Sequence, residues 1–186
     1  MRITKGLFKG RKLFSPKGKS ARPTLARVRE SFFDFLGNIQ DFTVLDLYAG
    51  TGALGLEALS RGAKEVIFVE ARYQNREILK KNIQLLGVEE KTKLFPGKVE
   101  NIPTKTEFFS SKTFDLVFVD PPYDYYIKEN FFFQLKESLK VLSWAENAAI
   151  LFDHPSKVSF PTTWERIQGK IFGDKGWSAF WVDSLL

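Results

Sequence analysis

The run Asp46-Leu47-Tyr48-Ala49-Gly50-Thr51-Gly52-Ala53-Leu54-Gly55 decides the fold. It leaves the apolar stretch 42–47, which reads as a core strand, and opens an apolar helix over 53–60. Glycines at such a turn let the backbone come close to a ligand, and the helix start offers N–H groups without partners. A second strand over 66–69 ends in Glu70, eighteen residues after Gly52. A carboxylate there can accept hydrogen bonds from both ribose hydroxyls of an adenosine-type cofactor. The same glycine spacing satisfies the dinucleotide fingerprint. Asp46, four residues before Gly50, argues against a dinucleotide, because a carboxylate suits a cationic amine and repels a pyrophosphate. S-adenosyl-L-methionine carries that amine and no phosphate. The candidate cofactor contacts are Asp46, Tyr48, Gly50, Thr51, Gly52 and Glu70.

Outward from this turn, helix-like and strand-like segments alternate. Apolar residues at helical spacing predict helices over 24–36, 74–86 (closed by Gly87) and 127–142. Strands are predicted over 91–95, 114–119 and 148–152, with a polar loop over 101–112. Two closing strands, near 164–171 and 178–183, read as a hairpin around Gly173 and Gly176. Strands joined by crossover helices imply an α/β fold with a mostly parallel sheet covered on both faces. His154 beside Pro155 reads as a loop residue, Phe131 to Phe133 as helix packing, and Trp177 and Trp181 as core and edge of the last strands.

The strongly apolar strand 114–119 runs straight into Asp120-Pro121-Pro122-Tyr123. In a doubly wound sheet the fourth strand lies beside the first, so this loop would face the glycine turn across the switch-point crevice. An exocyclic amine on a base is a poor nucleophile because its lone pair is delocalised into the ring. The Asp120 carboxylate and the Pro121 carbonyl can accept both amine hydrogens, drawing the nitrogen toward tetrahedral geometry and aiming its lone pair at a sulfonium methyl. Pro121 and Pro122 stiffen the turn, and Tyr123 offers a stacking face for an extruded base. The catalytic candidates are therefore Asp120, Pro121, Pro122 and Tyr123. This chemistry serves guanine N2, adenine N6 or cytosine N4 alike.

Composition narrows the remaining classes. The 186 residues hold no Cys and one His, which removes disulfides, thiolate metal sites and cysteine nucleophiles, and leaves little scope for a Ser-His-Asp triad. No metal is expected. The longest apolar run is five residues, 148–152, so no membrane span is expected, and the protein reads as cytoplasmic. Net charge is +6, yet residues 1–29 contain ten Lys or Arg and no acid, while the rest carries a net of −4. Such a segment attracts phosphates by counterion release. Gly6, Gly10, Pro16 and Gly18 punctuate its short apolar pieces, which predicts a hairpin-like basic extension over 1–23 ahead of a domain spanning 24–186. The RNA-binding candidates are Arg11, Lys12, Lys17 and Arg22 in this extension and Arg27 just beyond it.

Gly10-Arg11-Lys12-Leu13, Arg22-Pro23-Thr24, Arg27-Val28-Arg29-Glu30, the run from Asp46 to Gly55, and residues 114–123 together resemble the RsmD-type family of bacterial small-subunit rRNA guanine-N2 methyltransferases. The resemblance implies a Rossmann-like class I methyltransferase with a seven-stranded, mostly parallel sheet, helices on both faces and a short N-terminal β extension. It implies S-adenosyl-L-methionine as donor and one guanine of 16S rRNA as acceptor, on naked RNA or in an assembling particle. It also brings Arg22 and Thr24 near cofactor or substrate. One departure stands out: relatives carry Asp or Asn after the third strand, and here Pro96-Gly97-Lys98-Val99 leaves adenine recognition to backbone groups. The competing readings are methylation of adenine N6 in nucleic acid or of a protein amide, and a non-catalytic RNA-binding module.

Overall fold

The computed structural model describes residues 1–16 and 23–186, with side chains in the second stretch from residue 27 onward. Seven strands form one sheet: β1 (Thr43–Leu47), β2 (Glu65–Val69), β3 (Thr92–Phe95), β4 (Thr113–Val119), β5 (Ser143–Pro155), β6 (Arg166–Phe172) and β7 (Lys175–Trp181). Their order is β3-β2-β1-β4-β5-β7-β6. The first five are mutually parallel, and β7 inserts antiparallel between β5 and β6. This is the Rossmann-like class I arrangement.

Alternation along each central strand builds the two faces. Val44, Val66, Phe68, Leu116, Phe118 and Leu151 turn to one side, where α1 (Pro23–Leu36), α2 (Ala53–Ser60) and α3 (Tyr73–Leu86) cover them. Leu45, Leu47, Ile67, Val69, Val117, Val119 and Ile150 turn to the other, under α4 (Phe131–Leu139) and the segment carrying Val99, Ile102 and Phe109. Strands buried on both faces are continuous in hydrophobicity, which is why they were legible.

Several segments depart from the sequence reading. Residues 101–112 contain two 3₁₀ turns within Val99–Thr104 and Thr106–Phe108, and bury Ile102 and Phe109. The fourth helix, Phe131–Leu139, is shorter than 127–142: three-residue turns precede it (Lys128 N to Tyr125 O, Phe131 N to Lys128 O, each 3.1 Å) and another follows it (Leu142 N to Leu139 O, 3.1 Å). The closing turn is Gly173 and Asp174, with Gly173 at φ 67°, and Gly176 lies within β7. His154 is a strand residue, 2% exposed, with Nε2 2.9 Å from Ser178 Oγ and Nδ1 2.7 Å from the Pro155 carbonyl. Burial pushes its pKa down, so it sits as a neutral, satisfied core histidine.

The N-terminal segment folds back on itself. Arg2 bridges Lys12 antiparallel, Ile3 N donates to Arg11 O at 3.0 Å, and Leu13 N donates to Met1 O at 2.8 Å. Ile3 and Leu13 are buried in the α1–α3 layer. Gly6 has φ 84°, and a Cβ there would lie 1.7 Å from the Ser60 carbonyl oxygen, so only glycine permits this approach.

Candidate functional site: a crevice at the sheet switch point

Beyond β3 the chain returns to the other side of β1, so the loops after β1 and β4 face each other at the carboxyl edge. Between them lies a cleft of about 530 Å³, a size typical of small-ligand sites. Tyr48, Gly50, Thr51, Glu70, Asp120, Pro121, Pro122 and Tyr123 all line it. Sequence positions 48 to 123 thus converge because a single sheet edge collects their loops.

The glycine turn is held by carboxylates from two strands. Gly50 N donates to Glu70 Oε2 at 2.7 Å, and Arg72 N donates to Oε1 at 2.7 Å. Each carboxylate oxygen has two lone pairs, so Glu70 retains acceptor capacity toward the cleft that it lines. Gly52 adopts φ 83° as the cap of α2, and a Cβ there would come 2.3 Å from Leu79 Cδ1. Tyr48 also takes a left-handed φ, 59°.

Asp46 is placed differently from the expectation. It is 1% exposed and lies beneath the turn, not among the cleft walls, with Oδ2 accepting from Gly55 N at 2.9 Å. Burial raises its pKa to about 7, opposed by the Gly55 N–H and reinforced by the Glu70 charge. Its immediate partner is the helix α2 backbone.

Asp120 presents its accessible surface to the cleft, with protein on its other sides. Desolvation raises its pKa well above the usual carboxylate range, the charges of Asp153 and Asp46 add to this, and Lys175 opposes it. Tyr123 stands half-buried beside it, its hydroxyl donating to Asp153 Oδ1 at 3.3 Å.

Four residues escaped the sequence reading. Asp153 and Lys175 line the cleft from the ends of β5 and β7. A carboxylate closing the apolar run 148–152 was the available signal for the first. Glu100 also lines the cleft, and its Oε2 is buried without a hydrogen-bond partner. A buried carboxylate oxygen is rarely left so. It stands three residues beyond Gly97, where no side-chain acceptor was expected. Arg29, 6% exposed, reaches the cleft as well, donates to Arg2 O at 2.8 Å and lies 3.7 Å from Glu57.

The basic candidates separate. Arg11 and Lys12 are exposed on the folded-back N-terminal segment, whose Met1, Ser15 and Pro16 reach the cleft wall. Arg27 faces a different groove, with Gln168, Lys170 and Phe172. Lys17, Arg22 and the Thr24 side chain lie outside the described residues. Among the described residues no group of three potential ligands is placed to hold a metal, and no helix is long and apolar enough to cross a membrane.

Known proteins share this architecture and sequence. The chain is 34% identical over 182 residues to "Ribosomal RNA small subunit methyltransferase D" of Haemophilus influenzae, covering 93% of this chain and 89% of that one. It superimposes on the solved structure of yhhF from Escherichia coli with TM-score 0.78 and 30% identity, covering 97% of each. The rRNA methyltransferase aviRa of Streptomyces viridochromogenes, at 16% identity, shares the fold with TM-score 0.74 over 94% of this chain and 90% of that one. A family model described as Conserved hypothetical protein 95 matches residues 1–181, and the chain belongs to that family, the RsmD-type methyltransferases.

Proposed function

We propose that this chain transfers a methyl group from S-adenosyl-L-methionine to the exocyclic N2 amine of a guanine in small-subunit rRNA. The observation that carries the reading is the convergence of Asp120 with Gly50, Thr51 and Glu70 in one cleft, with Gly52 shaping the turn behind them. The relative named for small-subunit rRNA methylation supports the substrate class.

The cleft fits the donor. The N–H groups of a glycine turn at a helix start, the Glu70 carboxylate and a buried, unpartnered acceptor in Glu100 would meet the carboxylate, ribose hydroxyl and adenine amine groups of S-adenosyl-L-methionine. When bound, it supplies an electrophilic methyl on a sulfonium centre. Asp120 and the Pro121 carbonyl accept the two N2 hydrogens and orient the lone pair toward that methyl. As the N–C bond forms and the S–C bond breaks, one N2 proton leaves. Asp120, made more basic by its surroundings, is placed to take it. Tyr123 supports the base face. Asp46 holds the start of α2 against β1 and sets the shape of the turn.

Residues 1–23 serve in this reading as a basic extension of a domain spanning 24–186, with Arg11, Lys12, Lys17, Arg22 and Arg27 meeting RNA phosphates in the cytoplasm. Arg22 and Thr24 take part in cofactor or substrate binding in this reading, as the family resemblance implies. The test is incubation of the purified chain with labelled donor and small-subunit particles, separation of RNA from protein, and nucleoside analysis. Label in N2-methylguanine supports the reading, and label in protein or in N6-methyladenine contradicts it.

A further inference from the structure

Methyl transfer as described leaves a second carboxylate and an ammonium in the cleft without a task. Asp153 ends the apolar part of β5, and Lys175 opens its antiparallel neighbour β7. Asp153 pairs with Trp177, which makes Lys175 its diagonal neighbour, within reach of a long side chain. Asp153 is 8% exposed and held from two sides. Its carbonyl accepts from the Tyr126 hydroxyl at 2.7 Å and its Oδ1 from the Tyr123 hydroxyl at 3.3 Å. Among the described residues no donor bonds its Oδ2. The Lys175 ammonium stands 4.7 Å from the centre of the Tyr123 ring. Two carboxylates and an ammonium therefore gather around the ring that supports the base.

That set has a chemical complement. Next to its exocyclic amine, guanine offers the N1–H donor and then the O6 acceptor. Adenine offers the N1 lone pair and then a C–H, and cytosine offers the N3 lone pair and then O2. An acceptor, acceptor, donor array matches guanine alone. Enzymes acting on extruded bases read this Watson–Crick edge.

Resting on the base-methylation reading above, we propose that Asp153 and Lys175 select guanine, Asp153 accepting from N1–H and Lys175 donating to O6, while Asp120 holds the amine. Adenine or cytosine would set a ring-nitrogen lone pair against the buried Asp153 carboxylate, and adenine would also leave the Lys175 ammonium facing a C–H, which costs more than a lost contact.

The experiment compares the full-length wild type with Asp153→Asn and Lys175→Met. Each is given labelled donor and small-subunit particles lacking the modification, with donor affinity followed by calorimetry. Once wild type has located the modified guanine, particles carrying adenine at that position are offered to the same enzymes. We expect both substitutions to lower kcat/KM on guanine at least tenfold while donor affinity stays within twofold. Asp153→Asn, whose amide can donate to a ring nitrogen, should methylate the adenine particles at least tenfold faster than wild type does. A merely structural role would not move base preference. Unchanged guanine turnover in both variants, or a fall in donor affinity that accounts for the lost activity, overturns the assignment. Wild type that modifies guanine N2 while the variants behave like it sinks this inference alone. Wild type that modifies no guanine sinks the underlying reading.

Discussion

Thr4 gives both its backbone N–H and its hydroxyl to the carboxylate of Glu57, at 2.9 and 2.7 Å. Glu57 is fully buried in α2 and also takes Lys5 N, Arg61 Nε and the charge of Arg29. Ser60 and Asn82 repeat the arrangement further along, bonding Phe8 N and Phe14 N. The N-terminal segment is thus a fixed wall of the cleft, because buried polar side chains consume its backbone groups.

Replacing Glu57 by Ala should strip that wall. Arg29 and Arg61 would lose their buried counter-charge, and removing one partner of a buried ionic cluster costs about 3–5 kcal/mol. Thermal unfolding should show the loss, and hydrogen exchange at Ile3 and Leu13 should accelerate above the global rate. Unchanged protection of those two amides would detach the segment from Glu57.

Much of this was legible in the sequence, for identifiable reasons. Strands buried on both faces declare themselves as apolar runs, and the glycine turn and Asp120-Pro121-Pro122-Tyr123 sit at their ends. Asp46 was read as a ligand because spacing places it near the turn but does not show that Gly55 N occupies its carboxylate. Asp153 carried a local signal as the carboxylate closing an apolar run, but Lys175 and Glu100 were invisible because register and the path of a loop bring them to the cleft, and neither is a local pattern. His154 looked like a loop residue because Pro155 follows it, yet Pro155 ends the strand that contains it.

Glu100 should bind the adenine amine. Glu100→Ala is expected to weaken donor affinity about tenfold, roughly 1.4 kcal/mol. A donor analogue lacking that amine should bind wild type and variant equally. Equal weakening for both ligands would remove the amine contact.

Asp46→Asn should change how stability depends on pH. Asp46 has a folded pKa of about 7, above its ordinary value of 3.8, so the folded state holds the proton more tightly. Its contribution is fully present below about pH 4 and is lost as pH rises through 7. Asn keeps the acceptor for Gly55 N without the buried charge. The variant should therefore gain on wild type between pH 4 and pH 7 and hold a constant advantage above that. Parallel melting temperatures across this window would contradict a raised Asp46 pKa.

Neutralising Arg11, Lys12 and Lys17 together should weaken RNA binding and flatten its salt dependence, since each lost phosphate contact lowers the slope by somewhat under one unit. Donor affinity should hold. An unaltered slope of log affinity against log salt would leave the extension with a purely structural part.

Asp120→Ala tests the central claim most directly, with N2-methylguanine formation followed on small-subunit particles beside calorimetric donor affinity. In the proposed mechanism Asp120 meets the target amine and not the cofactor, so methyl transfer should be abolished while donor affinity stays within about twofold, well under 1.4 kcal/mol. Turnover retained within about tenfold of wild type, a barrier change of roughly 1.4 kcal/mol or less, would contradict the placement of Asp120 at the reacting nitrogen.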